Sequence, residues 1–141
     1  LPDPRHPALG WRAYGAPGSD PQIDWDEARV AYIIPESGVE LIPNDSYILE
    51  HGFERLNGVN FRKGCYVGQE VTARMKHKTE LRKGLVRVGI DGAAPVGAEI
   101  TFNDRVVGRI FTQSGGLALA WLRLDQPLGQ MQAGRARIWQ D

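Results

Sequence analysis

Ten consecutive residues, Phe61-Arg62-Lys63-Gly64-Cys65-Tyr66-Val67-Gly68-Gln69-Glu70, bring together a thiol, two cations, two glycines, an amide and a carboxylate. Cys65 is the only cysteine in the chain, two residues from Lys63 and three from Arg62. Neighbouring cations favour the thiolate, the nucleophilic form of the group, so Cys65 and Lys63 are the candidate reactive pair. Gly64 and Gly68 let the main chain turn tightly and let a ligand approach the backbone. Gln69 and Glu70 add an amide and a carboxylate able to hydrogen-bond a heterocycle that carries an amino group. The same residues also admit a plainer reading. Cys65 would then be a buried structural thiol in a glycine-kinked loop, with Lys63 and Glu70 as a surface ion pair.

Several familiar chemistries are excluded by spacing. Only three residues separate Gly64 from Gly68 and Lys63 precedes both, so this is not a phosphate-binding P-loop. Cys65 and His77 stand twelve residues apart with no further cysteine, whereas structural zinc takes about four ligands. Ser114 lies in Thr-Gln-Ser-Gly-Gly, which is not the Gly-x-Ser-x-Gly nucleophile elbow. One cysteine cannot form an intrachain disulfide, and no apolar run approaches the length of a membrane span. The Asn44-Asp45-Ser46 sequon has no secretory context around it. These features point to a reducing, cytoplasmic compartment. The chain opens on Leu1 rather than Met, as expected of a fragment or a processed product.

The net charge is zero but unevenly spread. Residues 1–61 carry four arginines against ten acids, and residues 62–87 carry eight Lys or Arg against Glu70 and Glu80. The basic block is either a solvated face or a local site for an anion such as phosphate, polyglutamate or RNA. A dedicated nucleic-acid domain would be basic overall, so direct nucleic-acid binding is not expected.

The elements that would position these residues change character along the chain. Residues 1–22 hold five of the nine prolines and read as loop, with Leu9–Tyr14 as a short strand. Asp24, with Glu27 three residues on, predicts a capped helix from Trp25 to Ile34 that places Trp25, Ala28, Ala31 and Tyr32 on one face; Pro35 stops it. Short helical turns are expected around Tyr47–Leu56. From Leu81 the pattern becomes alternating, with Asp91-Gly92, Asn103-Asp104 and Ser114-Gly115-Gly116 as turns. This spacing predicts a small antiparallel barrel over residues 81–135, with Val86, Val88, Phe102, Leu119 and Trp121 inside and a last strand at Arg135–Trp139.

Lys63-Gly64-Cys65-Tyr66-x-Gly68-Gln69-Glu70 resembles the signature of the YgfZ-type folate-binding proteins. These are relatives of the glycine-cleavage T-protein (aminomethyltransferase) and of a mitochondrial iron–sulfur assembly factor. The order of flanking segments is similar too. Asp3-Pro4-Arg5, Leu9-Gly10-Trp11-Arg12, the helix ending before Pro35 and Leu56–Phe61 precede the signature. Val71-Thr72-Ala73-Arg74-Met75 and Leu119–Asp125 follow it. The resemblance spans nearly the whole chain and matches the C-terminal half of longer family members. The half that supplies much of the folate cleft and the T-protein's catalytic Asp lies outside the match.

The resemblance implies a tetrahydrofolate-dependent protein that supports assembly or repair of iron–sulfur clusters, including those of bacterial enzymes that thiolate tRNA. It implies an α+β fold. Residues 1–78 would be the C-terminal part of a T-protein-like body and residues 79–141 a small β-barrel. Lys63, Gly64, Cys65, Tyr66, Gly68, Gln69 and Glu70 would lie beside the folate cleft, with Arg74 in the segment that follows. The implied partners are folate, iron–sulfur proteins or their assembly machinery, and the N-terminal half of the family fold. Two competing functions are aminomethyl transfer, as in glycine cleavage, and RNA binding through the 62–87 block. The signature around Cys65 is not that of the T-protein branch. RNA binding would be steeply salt-dependent.

Overall fold

Apolar alternation with two-residue turns from residue 83 onward closes into a barrel, and the preceding segment lies against its outer surface. The computed structural model describes residues 1–20, 22–64, 67, 69–77, 82–125 and 128–141, without the side chains of Gln69, Lys76 and His77. Its elements are α1 (Trp25–Tyr32), α2 (Gln69–His77), and strands β1 (Lys83–Asp91), β2 (Glu99–Phe102), β3 (Arg105–Ser114), β4 (Leu117–Arg123), β5 (Met131–Ala133) and β6 (Ala136–Gln140). Among the described residues no helix is long and apolar enough to cross a membrane.

The barrel runs β1-β4-β3-β2-β5-β6, antiparallel throughout. Asn103 and Asp104 both take the left-handed conformation, with φ of 51° and 63°. Two such residues twist a two-residue loop to suit a β2–β3 hairpin. Gly115 and Gly116, at 58° and 78°, do the same between β3 and β4. No described residue between 82 and 110 is helical, as the barrel reading requires.

Val88, Ile90, Ile100, Ile110, Leu122 and Ile138 form the interior, with Val86 and Phe102 packed against it. Leu119 and Trp121 do not belong there. They face outward and pack with Val30 and Phe111, while Ala118 and Ala120 fill the interior positions of β4. Strand side chains alternate strictly, so the assignment of β4 was out of phase by one residue. The reason is physical: a six-stranded barrel has room inside for alanine, and the bulky alternate residues are covered by α1 instead.

A β-bulge carries this outer packing. Ile110 pairs with Ala120 and Gln113 with Ala118, so Phe111 and Thr112 together oppose the single residue Leu119. An extra residue in one strand re-aims its side chains, and here two consecutive side chains face outward.

In the N-terminal segment, the Asp24 carboxylate accepts from the Glu27 N–H at 3.0 Å and caps α1. The helix ends at Tyr32, two residues before the expected Ile34. Ile33 is left-handed at φ 54°, and Pro35 bars helical geometry from the residue before it. Arg55 closes this end by donating to the Tyr32 and Ile33 carbonyls at 3.0 and 2.7 Å. Residues 9–14 form no strand; Leu9 ends a 3-10 turn from Pro7, and an isolated bridge joins Pro2 to Trp11. Gly10 at φ 77° interrupts the extended run. The helical turns expected near residue 50 are present as a 3-10 turn, Ile48–His51. Residues 1–77 otherwise contain no strand among those described, only isolated bridges.

Candidate functional site

Two stretches flank the signature cysteine, a loop before it and α2 after it. The loop is held by one local and one long-range bond: the Asn60 side chain accepts from the Arg62 N–H at 2.9 Å, and the Asn57 amide donates to the Pro4 carbonyl at 2.7 Å. Gly64 takes φ +100° with open space where a Cβ would stand. The glycine is needed there for backbone conformation. Arg62 and Lys63 are exposed. Cys65, Tyr66 and Gly68 lie outside the described residues, as does the side chain of Gln69.

Helix α2 begins at Gln69 and carries Glu70 in its first turn, where a carboxylate suits the positive end of the helix dipole. Glu70, Val71 and Arg74 are exposed, and Thr72 is buried. The helix lies beside the Ile48–His51 turn. Glu70 and Arg74 are one turn apart on its outer side. The described part of the signature is thus an open wall carrying both charges.

The basic block does not form one uncommitted cationic face. Lys83 sits over the Trp121 ring, 4.9 Å from its centroid. Arg87 pairs with Asp141 at 2.7 Å and donates to the Ala31 carbonyl at 2.9 Å. These contacts set Lys83 against β4 and tie Arg87 to α1 and the last residue.

The densest polar chemistry among the described residues lies at the seam between the N-terminal segment and the barrel. Arg29 and Glu40 are both buried, at 2% and 1% exposure, and form an ion pair at 2.5 Å. The Thr112 hydroxyl accepts from Arg29 Nη2 at 2.6 Å and donates to Glu40 Oε2 at 2.6 Å. Glu40 Oε1 also accepts from the Glu36 N–H. Burial pushes the Arg29 pKa down, but the charge and hydrogen bond of Glu40 outweigh it and leave the pKa raised. Arg29 Nε is the one buried side-chain polar atom without a partner among the described residues. A buried pair of this kind does little for stability against an apolar substitute, but breaking it is costly.

Beside this junction a cleft of about 230 Å³ opens between residues 40–51 and the outer faces of β1, β3 and β4. Its wall is fixed by hydrogen bonds. Trp121 Nε1–H donates to Glu50 Oε2 at 3.2 Å, and the His51 ring Nδ1–H donates to the Tyr47 carbonyl at 2.9 Å. In neutral His51 this leaves Nε2 as an acceptor. The sequence reading passed over these residues. The signals available were slight: an arginine flanked by Ala28 and Val30 within a helix, and a threonine ending the expected strand Val106–Thr112.

At the other end of the segment, Asp3 is buried and pairs with the more exposed guanidinium groups of Arg5 and Arg12, each at 2.8 Å. Hydrogen bonding from Arg5, reinforced by Arg12, holds its carboxyl well below the usual carboxylate range despite burial.

Residues 82–138 match the CAF17 C-terminal beta-barrel domain. The chain is 35% identical over 136 residues to the mitochondrial iron–sulfur cluster assembly factor IBA57 of Homo sapiens, covering 84% of this chain and 38% of that protein. For the Mus musculus factor the identity is 32% over 145 residues, covering 92% and 40%. The homologue in Neurospora crassa is 38% identical over 107 residues, or 67% of this chain and 24% of that protein. The chain therefore spans about two fifths of the length of the first two relatives. The expected cytoplasmic location is corrected by these relatives, which are named mitochondrial and point to the mitochondrion. A lone cysteine and an apolar content of 42% suit either reducing compartment, so composition could not separate them. Residues 82–138 are thus similar to the CAF17 C-terminal beta-barrel domain, and the chain as a whole is similar to part of the mitochondrial IBA57 assembly factors.

Proposed function

We propose that this chain is the C-terminal portion of a tetrahydrofolate-dependent protein that supports assembly or repair of iron–sulfur clusters, with tRNA-thiolating iron–sulfur enzymes among its clients. The observation that carries the reading is the similarity to the human IBA57 factor over 84% of the chain. A match that wide takes in residues 61–74. Residues 1–78 would belong to a T-protein-like body and present the signature, with the barrel docked behind it. Cys65 is the reactive group and Lys63 the cation that favours its thiolate. Gly64, Tyr66, Gly68, Gln69, Glu70 and Arg74 are the folate-binding residues. Tetrahydrofolate, when bound, would supply one-carbon or redox chemistry. This chain's own part is to hold the pterin's amino group at Glu70 and the anionic tail at Arg74.

The test is complementation. Cells depleted of their own factor would receive the protein containing this chain, either intact or with Cys65→Ser. Cluster occupancy of a client enzyme, read by absorbance and activity, should be restored by the first and not by the second. Equal rescue would remove Cys65 from the mechanism, and no rescue by the intact protein would remove the function.

A further inference from the structure

The cleft beside the Arg29–Glu40 junction shares no lining residue with the signature, and its charges are sorted by wall. Asp45 and Glu50 come from the N-terminal segment, whereas Lys83 and Arg109 come from β1 and β3. Two aromatic rings also line it, Trp121 from the barrel and the half-exposed Tyr47 from the N-terminal segment. The Trp121 indole is already fixed by Glu50, and Lys83 is suspended over its ring. Among the described residues the Lys83 ammonium, the Asp45 carboxylate and the Tyr47 hydroxyl have no hydrogen-bond or ion-pair partner. Arg109 is exposed, donates to the Gly97 carbonyl at 3.0 Å and lies 3.8 Å from Glu99.

We infer that this cleft binds a small aromatic zwitterion of the α-amino-acid class. The ring stacks on Trp121, the carboxylate meets Lys83 and Arg109, and the ammonium meets Asp45 and Glu50. Size agrees with this. At about 230 Å³ the cleft is below the ~300–1,000 Å³ of drug-sized pockets, which leaves room for one ring and two short charged groups. Charge agrees as well. An aromatic anion would leave the acidic wall unmet, and an aromatic cation would leave the basic wall unmet. Only a ligand carrying both satisfies the two sides. Seams between packed segments are common places for such sites.

The experiment follows the indole N–H resonance of Trp121, assigned with Trp121→Phe, while the 141-residue chain is titrated with phenylalanine, 3-phenylpropionate and phenethylamine. Phenylalanine should bind with a constant below about 1 mM, and each single-charge analogue at least about tenfold more weakly. Lys83→Gln should erase the advantage of phenylalanine over phenethylamine. Asp45→Asn should erase its advantage over phenylpropionate. If the Trp121 signal does not move, or the three probes bind alike, the sorted charges serve only to hold the seam together and the inference is overturned. None of these probes is a folate or touches the signature, so the result stands apart from the iron–sulfur reading.

Discussion

Thr112 gives both its backbone N–H and its hydroxyl to one carboxylate oxygen, Oε2 of Glu40, at 3.3 and 2.6 Å. The backbone donor is available because Thr112 sits in the bulge, where β3 and β4 are out of register. Removing the hydroxyl with Thr112→Val keeps the shape but deprives Glu40 of a donor and Arg29 of an acceptor. The expected loss is about 1–3 kcal/mol. Arg29→Met leaves Glu40 as an uncompensated buried charge and should cost about 3–5 kcal/mol. Adding Glu40→Leu to it should restore part of that loss. Urea unfolding of the single and double variants decides the matter, and an Arg29→Met variant as stable as the parent would contradict the junction.

Gly89 and Trp139 form a matched pair on the outer face. A Cβ at position 89 would stand 2.2 Å from the indole of Trp139. Gly89→Ala should therefore displace the ring and cost about 1–3 kcal/mol. In a Trp139→Ala background the same change should be close to neutral. A double-mutant cycle gives the coupling directly, and additive effects would show that the ring does not rest on the glycine.

Asp3 should shape the acid limb of stability. Its folded pKa is depressed by Arg5 and Arg12, so its contribution is full above the unfolded value of about 3.9 and is lost as pH falls toward the folded value. Thermal unfolding measured from neutral pH down to about pH 3 should show Asp3→Asn and the parent converging as acid is added. A constant gap between them would mean that Asp3 stays equally ionised in both states.

Cys65 should alkylate in the native protein, and Lys63→Ala should slow the reaction near neutral pH by lowering the thiolate fraction. Cys65→Ser should cost little stability, since the two side chains are nearly the same size. Alkylation rate against pH, with thermal unfolding of the serine variant, tests both. A thiol that reacts only after unfolding, with a large stability loss in the variant, would hand Cys65 to the packed core.

Folate should bind this chain alone more weakly than about 1 mM. Pockets for ligands of this size enclose most of their surface, and the described signature residues form one open wall. Calorimetric titration with tetrahydrofolate is the measurement. A micromolar constant would mean that a second copy of the chain closes the cleft.

The barrel was legible because turn chemistry is local: Asn103-Asp104 and Gly115-Gly116 supply left-handed conformations that few other residues accept. The phase of β4 was not legible, because Leu117, Leu119 and Trp121 and the alternate Ala118, Ala120 and Leu122 are all apolar. Volume pointed to the wrong face. Helix α2 was also missed: it follows a glycine-rich loop and offers only Val71 and Met75 as large apolar residues. The Arg29–Glu40–Thr112 junction joins positions 72 and 83 residues apart, and no spacing rule reaches that far. The signature was the reverse case, conspicuous as a string of residue types.

The bulge at Phe111 and Thr112 separates two things a mutation can damage. Losing one codon there would leave Ile110 opposite Ala120 and Gln113 opposite Ala118, as both are now, so the ladder on either side would survive. Only one residue would then face outward where two do now. The chain would keep either the ring that packs on Val30 or the hydroxyl that meets Glu40. A single deletion could thus detach the barrel without unfolding it, which makes its attachment heritable separately from its fold.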